Sequence, residues 1–182
     1  MTVSSNAPII YREARRADIP ALTAIYAHYV LTGLASFEEL APDAEEMGRR
    51  FEAIRQRQLP YLVAEREGEP IGYAYASFYR TRSAYRFTLE DSIYLRPEAA
   101  GQGIGRELLG RLIQESEALG FRRMIAVIGD SAHRPSIRLH EIMGFTHVGI
   151  LPSVGFKFGR WVDSVLMQRP LGAGDATLPE EP

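Results

Sequence analysis

The sequence predicts a mixed α/β fold, in which a central twisted sheet is flanked by helices. Segments with the apolar spacing of amphipathic helices alternate with short runs rich in aromatic and β-branched residues, which are typical of strands. Their order is one strand, two helices, three strands, and then helix, strand, helix and two strands. The 182 residues are 46% hydrophobic and 24% charged, values typical of one globular domain.

The first half of the chain begins with a predicted strand at residues 9–12 and two helices. Asp18 is placed to cap the first helix, with Pro20 in its first turn. The second helix is expected to begin near Asp43, because Asp43 and Glu46 have the spacing of a capping box. A hairpin and a third strand follow, predicted at residues 61–65, 71–78 and 87–95.

The second half continues with a helix at residues 105–119, which carries apolar side chains on one face. Residues 124–128 form a continuous apolar run, which predicts a strand covered on both faces. The last helix and two strands are predicted at residues 135–143, 147–151 and 161–167. The ends are polar or rich in Gly and Pro, so a single domain is expected at 9–170, with flexible segments at 1–8 and 171–182.

Composition excludes several classes of function. Lys and Arg number 21 against 23 Asp and Glu, for a net charge of −2, so no broad basic surface exists for nucleic acid or an anionic membrane. The absence of cysteine excludes disulfides, thiolate metal sites and a cysteine nucleophile. No apolar run reaches the ~20 residues of a membrane span, and the first residues lack the apolar run of a signal peptide. We therefore expect a cytoplasmic protein that binds neither nucleic acid nor membrane.

The segment between the third meander strand and the next helix is rich in glycine. Gly101, Gly103 and Gly105 would let the backbone approach a ligand closely, and free N–H groups at a helix start suit a phosphate. A Walker A loop needs Gly-Lys-Ser/Thr where this chain has Gly105-Arg106-Glu107, and a dinucleotide fingerprint needs a glycine in place of Arg106. A phosphate-binding turn and an ordinary strand-to-helix turn both remain open on this segment alone.

The motifs along the chain resemble one family. A strand, an x-x-Gly-x-Gly turn and an amphipathic helix precede a strand and a helix that ends in Leu-His-x-x-x-Gly-Phe. This arrangement resembles the acetyl-CoA-binding core of the GNAT acetyltransferases, over about residues 9–170. Within that superfamily the chain is similar to the phosphinothricin and methionine sulfoximine N-acetyltransferase branch at residues 88–94, 126–129, 136–141 and 154–161.

The resemblance implies the GNAT acyl-CoA N-acyltransferase fold and acetyl-CoA as co-substrate. The main chain of the strand end would pair with the pantetheine arm, at Ile93, Tyr94 and Leu95. Turn amides would bind the pyrophosphate, at Gly101, Gln102, Gly103, Ile104, Gly105 and Arg106. His133 and Ser136, at the next helix, would also contact the cofactor. The chain departs from the family pattern at Ala100, where Gln or Arg is usual, and at His133, where Asn is usual, so Arg106 is the expected charge partner.

Acetyl transfer to an amine needs a base for the ammonium proton. An α-amino group has a pKa near 8 and an ordinary Glu a pKa near 4.3. Proton transfer from the ammonium to Glu would therefore be uphill by roughly 5 kcal/mol unless the site brings the two pKa values closer together. Glu90 and Asp91 are consecutive in a strand and should lie on opposite faces of the sheet. The family position implies that Glu90 is the general base, directly or through water, and that His140 protonates the thiolate or orients the amine. His28 and His147 are expected to be structural.

Three arginines lie close before the expected base. Arg80, Arg82 and Arg86, with Tyr85, suit carboxylate, phosphinate or sulfonyl oxygens, although a charge run is ordinarily just solvated. The resemblance implies that Arg80, Arg82 and Tyr85 face a glutamate-like acceptor, that Arg86 matches only some branch members, and that Phe37 helps close the pocket.

These inferences predict a cytoplasmic, metal-free homodimer that acetylates the α-amine of a small amino-acid analogue and so detoxifies it. The expected acceptors are of the phosphinothricin, methionine sulfoximine or methionine sulfone type, and transfer is expected in one ternary complex. Acetylation of a protein N-terminus or an ordinary amino acid remains an alternative, as does a non-catalytic CoA-binding sensor. Residues 154–161 could line either the pocket or a subunit interface.

Overall fold

The computed structural model describes residues 7–179. Within them, the strands are β1 (Ile9–Glu13), β2 (Tyr61–Arg66), β3 (Glu69–Phe78), β4 (Thr88–Leu95), β5 (Arg123–Gly129), β6 (Thr146–Lys157) and β7 (Arg160–Pro170). The α-helices are α1 (Ile19–Thr32), α2 (Ala44–Arg55), α3 (Ile104–Ala118) and α4 (Arg134–Ile142). This order of elements is the one that the sequence predicts, and the mixed sheet is confirmed.

The sheet has the strand order β1-β2-β3-β4-β5-β7-β6. All neighbouring strands are antiparallel except β4 and β5, which are parallel. These two strands pair only from Thr88 to Glu90, opposite 123–125, although β4 continues to Leu95. Beyond Glu90 they diverge, and within the described residues β4 then pairs with β3 alone. The divergence leaves one edge of β4 open in the middle of the sheet.

Two apolar clusters hold the helices on opposite faces of the sheet. On one face, α1 and α2 pack on β2, β3 and β4 through residues such as Leu22, Phe51 and Tyr73. On the other face, Leu108 and Leu112 of α3 are fully buried, and each such leucine stabilises the fold by about 2 kcal/mol. Because helices cover both faces of β2 and β3, these two strands are buried along most of their length instead of alternating between buried and exposed residues.

The predicted helix caps are confirmed only in part. The Asp43 carboxylate accepts from the Glu46 amide at 2.8 Å, as predicted, but the Glu46 side chain binds Arg49 and Arg50 instead of completing a capping box. Asp18 precedes α1 without capping it, since its carboxylate accepts from Arg12. The physical reason is that Asp18 ends a short 3₁₀ turn and has helical dihedral angles itself.

The prediction that β5 is covered on both faces is wrong. Met124, Ala126 and Ile128 are buried, whereas Val127, on the other face, is 41% exposed. The helices of that face pack on β2, β3 and β4, so the apolar side chain of Val127 lies in an open depression instead.

The last two strands are longer than predicted, because β6 continues through shifts of register between Leu151 and Gly155 that interrupt its alternation. The tail predicted from residue 171 begins too early, since Leu171 is fully buried in the core. Residues 1–6 and 180–182 of the predicted flexible ends lie outside the described residues.

Candidate active site

A cleft of about 1160 Å³ opens where β4 and β5 diverge. The loop between α1 and α2 forms one wall, and the turn before α3 and the start of α4 form the opposite wall. Glu90 and His140 both line this cleft. The topology thus brings together residues from widely separated parts of the chain.

Glu90 is the last β4 residue paired with β5, and it is half-buried. Burial of its carboxylate, together with the neighbouring charge of Asp91, raises the pKa of Glu90 to about 7, against a smaller opposing effect of Arg80. The pKa difference between Glu90 and an α-amine of pKa near 8 is then about 1 unit, or about 1.4 kcal/mol. The site therefore places a carboxylate with the proton affinity that a base for an ammonium group requires.

Asp91 points to the opposite face of the sheet from Glu90, as the strand geometry predicts. Its Oδ2 atom lies 3.0 Å from Nε2 of His140, and Nδ1 of His140 lies 2.8 Å from the Ser136 carbonyl oxygen. Both side chains are buried, His140 at 4% and Asp91 at 8% exposure. Because a carbonyl and a carboxylate both accept, the protonated imidazolium satisfies both contacts.

The charge state of His140 follows from two opposing effects. Burial lowers its pKa, but the charge and hydrogen bond of Asp91, together with the hydrogen bond to the Ser136 carbonyl, outweigh burial, so the pKa of His140 is raised overall. The result is a buried ion pair between α4 and β4, inside the cleft wall.

The turn before α3 contains two glycines in the left-handed region at the start of the helix. Gly101 and Gly103 have φ angles of +76° and +81°, a region that glycine adopts without strain. Gly101, Gly103, Gly105 and Arg106 line the cleft together with Ala100. The α3 N-terminus therefore directs its free N–H groups into the cleft wall.

Two residues of this turn present no side chain to the cleft. Gln102 accepts from Arg66 at 2.7 Å and donates to the Glu98 carbonyl at 2.8 Å, so its side chain stabilises the turn. Ile104 is 1% exposed and packs in the core. Both residues can contribute to ligand binding only through the main chain.

The open edge of β4 also belongs to the cleft, which Ile93, Tyr94 and Leu95 line. The Leu95 carbonyl accepts from the hydroxyl of Tyr29 at 2.6 Å. An extended ligand arm can therefore pair with the free edge of this strand, while α1 holds the strand end in place.

His133 and Ser136 lie at the start of α4, in the opposite wall. The Nδ1 atom of His133 is buried and has no hydrogen-bond partner among the described residues. Burial lowers the pKa of His133, with a smaller opposing effect of Asp130. A neutral imidazole with one unsatisfied nitrogen thus stands where the family pattern has Asn.

The arginine-rich segment is divided by the fold. Arg80 lines the cleft, with its guanidinium 4.7 Å from the centre of the Tyr79 ring. Arg82, Tyr85 and Arg86 are exposed and, in the described part of the chain, are not among the cleft residues. Tyr85 instead packs edge-on against Tyr79. Of this group, the structure brings only Arg80 next to the candidate base.

Phe37 forms part of the cleft wall and packs against two glycines. A Cβ atom at Gly155 would lie 2.5 Å from the Phe37 ring, and one at Gly129 would collide with the Leu34 carbonyl. Segment 154–161 serves two surfaces, because Val154 lines the cleft whereas Trp161 is 66% exposed.

Sequence reasoning missed several cleft residues that carry no local signal. They are Tyr26, Tyr29, Glu38 and Tyr75. The helical spacing of the two α1 tyrosines predicts core residues, which they are, but it cannot indicate that a cleft opens beside them. The residues that the structure describes include no group of three or more His, Asp or Glu placed to hold a metal ion, and none of their helices is long and apolar enough to cross a membrane.

Comparisons with known proteins agree with this geometry. The family model described as acetyltransferase (GNAT) family matches residues 22–145. The chain is 60% identical to a phosphinothricin N-acetyltransferase of Alcaligenes faecalis, over 93% of this chain and 86% of that protein. It is 41% identical to an L-methionine sulfoximine/L-methionine sulfone acetyltransferase of Salmonella typhimurium, over 88% of this chain and 93% of that protein.

A solved structure has the same fold. The phosphinothricin acetyltransferase of Sinorhizobium meliloti, determined in complex with acetyl-CoA, superposes with a TM-score of 0.92 and 52% identity, over 95% of this chain and 94% of that one. Family match, sequence identity and fold agree with a cleft that splits β4 from β5 around a half-buried glutamate. The chain belongs to the GNAT acetyltransferase family.

Proposed function

We propose that this enzyme transfers the acetyl group of acetyl-CoA to the α-amine of a small anionic amino-acid analogue of the phosphinothricin or methionine sulfoximine type. The observation that carries the proposal is Glu90, a partly buried carboxylate with a pKa of about 7, at the point where β4 and β5 diverge. The names of the relatives support the acceptor class.

In the proposed reaction, Glu90 removes a proton from the acceptor ammonium group. Acetyl-CoA supplies the acetyl thioester, whose C–S bond breaks as the C–N bond to the freed amine forms. The nitrogen then loses its second proton to the leaving thiolate, so the products are the N-acetyl compound and the CoA thiol. The residues assigned to hold it are the edge of β4 at 93–95 and the turn amides of 101–106, with Arg106 as charge partner for the pyrophosphate. His133 and Ser136 complete this wall. The open strand edge and the left-handed glycines fit such a ligand.

His140 is proposed to orient α4 and the strand end rather than to donate its proton. Both ring nitrogens already bind protein acceptors, Asp91 and the Ser136 carbonyl. To donate its proton to the leaving thiolate, His140 would have to break one of these buried hydrogen bonds, which is costly.

Arg80 is proposed to bind the anionic head group of the acceptor, since it lines the cleft and is coupled electrostatically to Glu90. Replacing Arg80 by Ala should raise the acceptor KM by about tenfold or more, because a charge-assisted contact is lost. Arg82→Ala is the matched control, since Arg82 lies on the same segment outside the cleft; its acceptor KM should change by less than about threefold. Steady-state kinetics at saturating acetyl-CoA make the comparison. If Arg82→Ala raises the acceptor KM and Arg80→Ala does not, the assignment is wrong.

A panel of acceptors tests the proposed function. Thiol release from acetyl-CoA is measured with phosphinothricin, methionine sulfoximine, methionine sulfone, glutamate and peptides. The proposal expects the highest kcat/KM with an analogue that carries a tetrahedral phosphorus or sulfur group. A preference for glutamate or peptides would support the other acetyltransferase activities, and acetyl-CoA binding without any release would support a sensor.

A homodimer is part of the proposal. β6 is an edge strand of the sheet, and it and β7 expose large apolar side chains, namely Val148, Ile150, Phe156 and Trp161. An exposed apolar edge strand favours pairing with another chain, here a second copy. Sedimentation velocity should give twice the chain mass of 20.4 kDa, and a single 20.4 kDa species at micromolar concentration would contradict it.

Cytoplasmic detoxification completes the proposal. Acetylation removes the ammonium charge of the acceptor, so an analogue that inhibits glutamine-using enzymes would lose recognition. A strain that expresses the enzyme should tolerate phosphinothricin or methionine sulfoximine at concentrations that stop its parent, and an unchanged tolerance would argue against this role.

A further inference from the structure

Lys157 is the only lysine of the chain, because all the other residues among its 21 Lys and Arg are arginines. It is also 2% exposed, although lysine is almost never fully buried without a partner. The proposed chemistry does not use this side chain, so its burial needs a separate physical reason.

The partners of Lys157 lie at the other end of the chain. Its Nζ atom donates to the Gly33 carbonyl at 2.9 Å and to the Ser36 carbonyl at 2.6 Å. Gly33 is the residue that ends α1, where helix carbonyls lack partners and the helix dipole is negative. A compact ammonium with three donors suits two converging carbonyls better than the planar fork of arginine does.

These carbonyls belong to the segment that forms one wall of the cleft, which we call the acceptor loop (residues 33–38). Its residues Ser36, Phe37 and Glu38 line the cleft that Glu90 also lines. Tyr26 ties the loop to α1 through Ser36 and Glu38, at 2.8 and 2.9 Å. Lys157 ties the same loop to the sheet.

The strand that carries Lys157 also receives the loop's aromatic ring. Gly155 and Lys157 are two residues apart on β6, so they share a face of the strand. Phe37 packs where a side chain at Gly155 would stand, while the ammonium two residues further holds the loop's carbonyls. One face of β6 therefore makes room for the Phe37 ring and also holds the loop backbone that carries this ring.

We propose that Lys157 is a positioning residue for the acceptor, which holds the acceptor loop against β6 so that Phe37 and Glu38 form the acceptor wall. The inference rests on the proposed function for its kinetic consequence. The acceptor loop follows α1, which packs on one face of the sheet, whereas the turn assigned to the pyrophosphate leads into α3 on the opposite face. Loss of Lys157 should therefore affect the acceptor and spare acetyl-CoA.

The kinetic test replaces Lys157 by Met, which keeps the length and removes the donor. The acceptor KM should rise about tenfold, because a loop that has lost its charge-assisted hydrogen bonds forms the acceptor wall only about a tenth of the time, while the KM for acetyl-CoA and kcat at saturation stay within about twofold. Arg160→Met is the matched control, because Arg160 is a cation on the same hairpin that binds Asp130 and is 59% exposed. An unchanged acceptor KM in Lys157→Met, or an equal rise in both variants, would overturn the proposal.

A double variant tests whether Lys157 acts through the loop. Phe37→Ala should also raise the acceptor KM, and adding Lys157→Met should then have little further effect, because both changes remove the same wall. Full additivity of the two effects would show that Lys157 does not act through Phe37.

Two further measurements do not depend on acetyl transfer. The first uses only the wild-type protein, so it does not depend on whether a variant folds. In the wild-type protein, N-hydroxysuccinimidyl acetate should label Lys157 only after denaturation, whereas free lysine added to the same solution is labelled rapidly. Amide hydrogen exchange of residues 33–38 should be faster in Lys157→Met than in Arg160→Met. If Lys157 of the native protein reacts as fast as a free amine, the proposal is wrong. Absence of acetyl transfer to every acceptor would refute the proposed function and leave these two measurements to decide the role of Lys157.

Discussion

The variant Glu90→Gln should lose about 100- to 1000-fold in kcat at pH 8, because glutamine has nearly the same shape but cannot accept a proton. Its affinity for acetyl-CoA should change little, since the assigned cofactor contacts are main-chain groups of 93–95 and 101–106. Thiol release gives kcat, and calorimetric titration with acetyl-CoA gives the affinity. Full turnover at neutral pH in this variant would refute the base assignment.

The pH profile of the wild-type enzyme provides the companion measurement. A base must be ionised to act, and the pKa of Glu90 in the free enzyme is about 7, so kcat/KM for the acceptor should rise with pH through an inflection near pH 7. The residual activity of Glu90→Gln should lack this rise. A wild-type profile that stays flat from pH 5 to 9 would contradict the assignment.

The same substitution should stabilise the fold at alkaline pH. A carboxyl group whose pKa is raised on folding, here from 4.5 to about 7, destabilises the native state increasingly as pH rises from the unfolded value through the folded one. The difference of about 2.5 pKa units corresponds to at most about 3.4 kcal/mol. Glu90→Gln should therefore melt several degrees higher than the wild type at pH 8, and at the same temperature at pH 4.

The variant His140→Ala should destabilise the fold by about 3–5 kcal/mol near neutral pH, because it leaves the Asp91 carboxylate buried without its ion-pair partner. The pKa of His140 is raised above 6.5 on folding, so its stabilising effect is fully present below pH 6.5 and is lost as pH rises through the raised value. The difference in unfolding free energy between wild type and variant should accordingly shrink at alkaline pH. Urea denaturation at pH 6 and pH 9 measures it.

A double variant that replaces both charged side chains with neutral ones distinguishes a positioning role of His140 from proton donation. The double variant Asp91→Asn/His140→Gln buries no unpaired charge and should recover much of the lost stability. If His140 orients α4, this variant should keep kcat within about tenfold of the wild type. A folded double variant with kcat reduced by a hundredfold or more would contradict a purely positioning role for His140.

The order of elements and the turn before α3 were predictable, because their causes are local. Apolar spacing within a dozen residues separates helix from strand, and glycine at 101 and 103 permits the left-handed backbone that the turn adopts. The exposure of one face of β5 was not predictable, because whether a helix packs over Val127 depends on where α1 and α2 lie on the sheet.

Function was likewise only partly predictable. The sequence placed Glu90 and His140 in the site by family resemblance, and the strand period placed Asp91 on the face opposite Glu90. It did not reveal that Asp91 pairs with His140, 49 residues away, nor that Arg80 enters the cleft while Arg82 stays outside. Such pairings depend on contacts between distant segments, which local patterns do not record.

By itself, then, the sequence determined a mixed α/β order of elements, a glycine-rich turn before α3 and a glutamate in mid-strand, while the acetyltransferase family came from resemblance. Those features follow from residue spacing and from the conformations that individual residues allow. Only the tertiary structure decided that Glu90 has a pKa near 7, that His140 is held at both nitrogens, and that Lys157 holds the acceptor loop. Each of these depends on burial and on partners brought together by folding, because desolvation and pairing, not residue type, set the charge and position of a side chain.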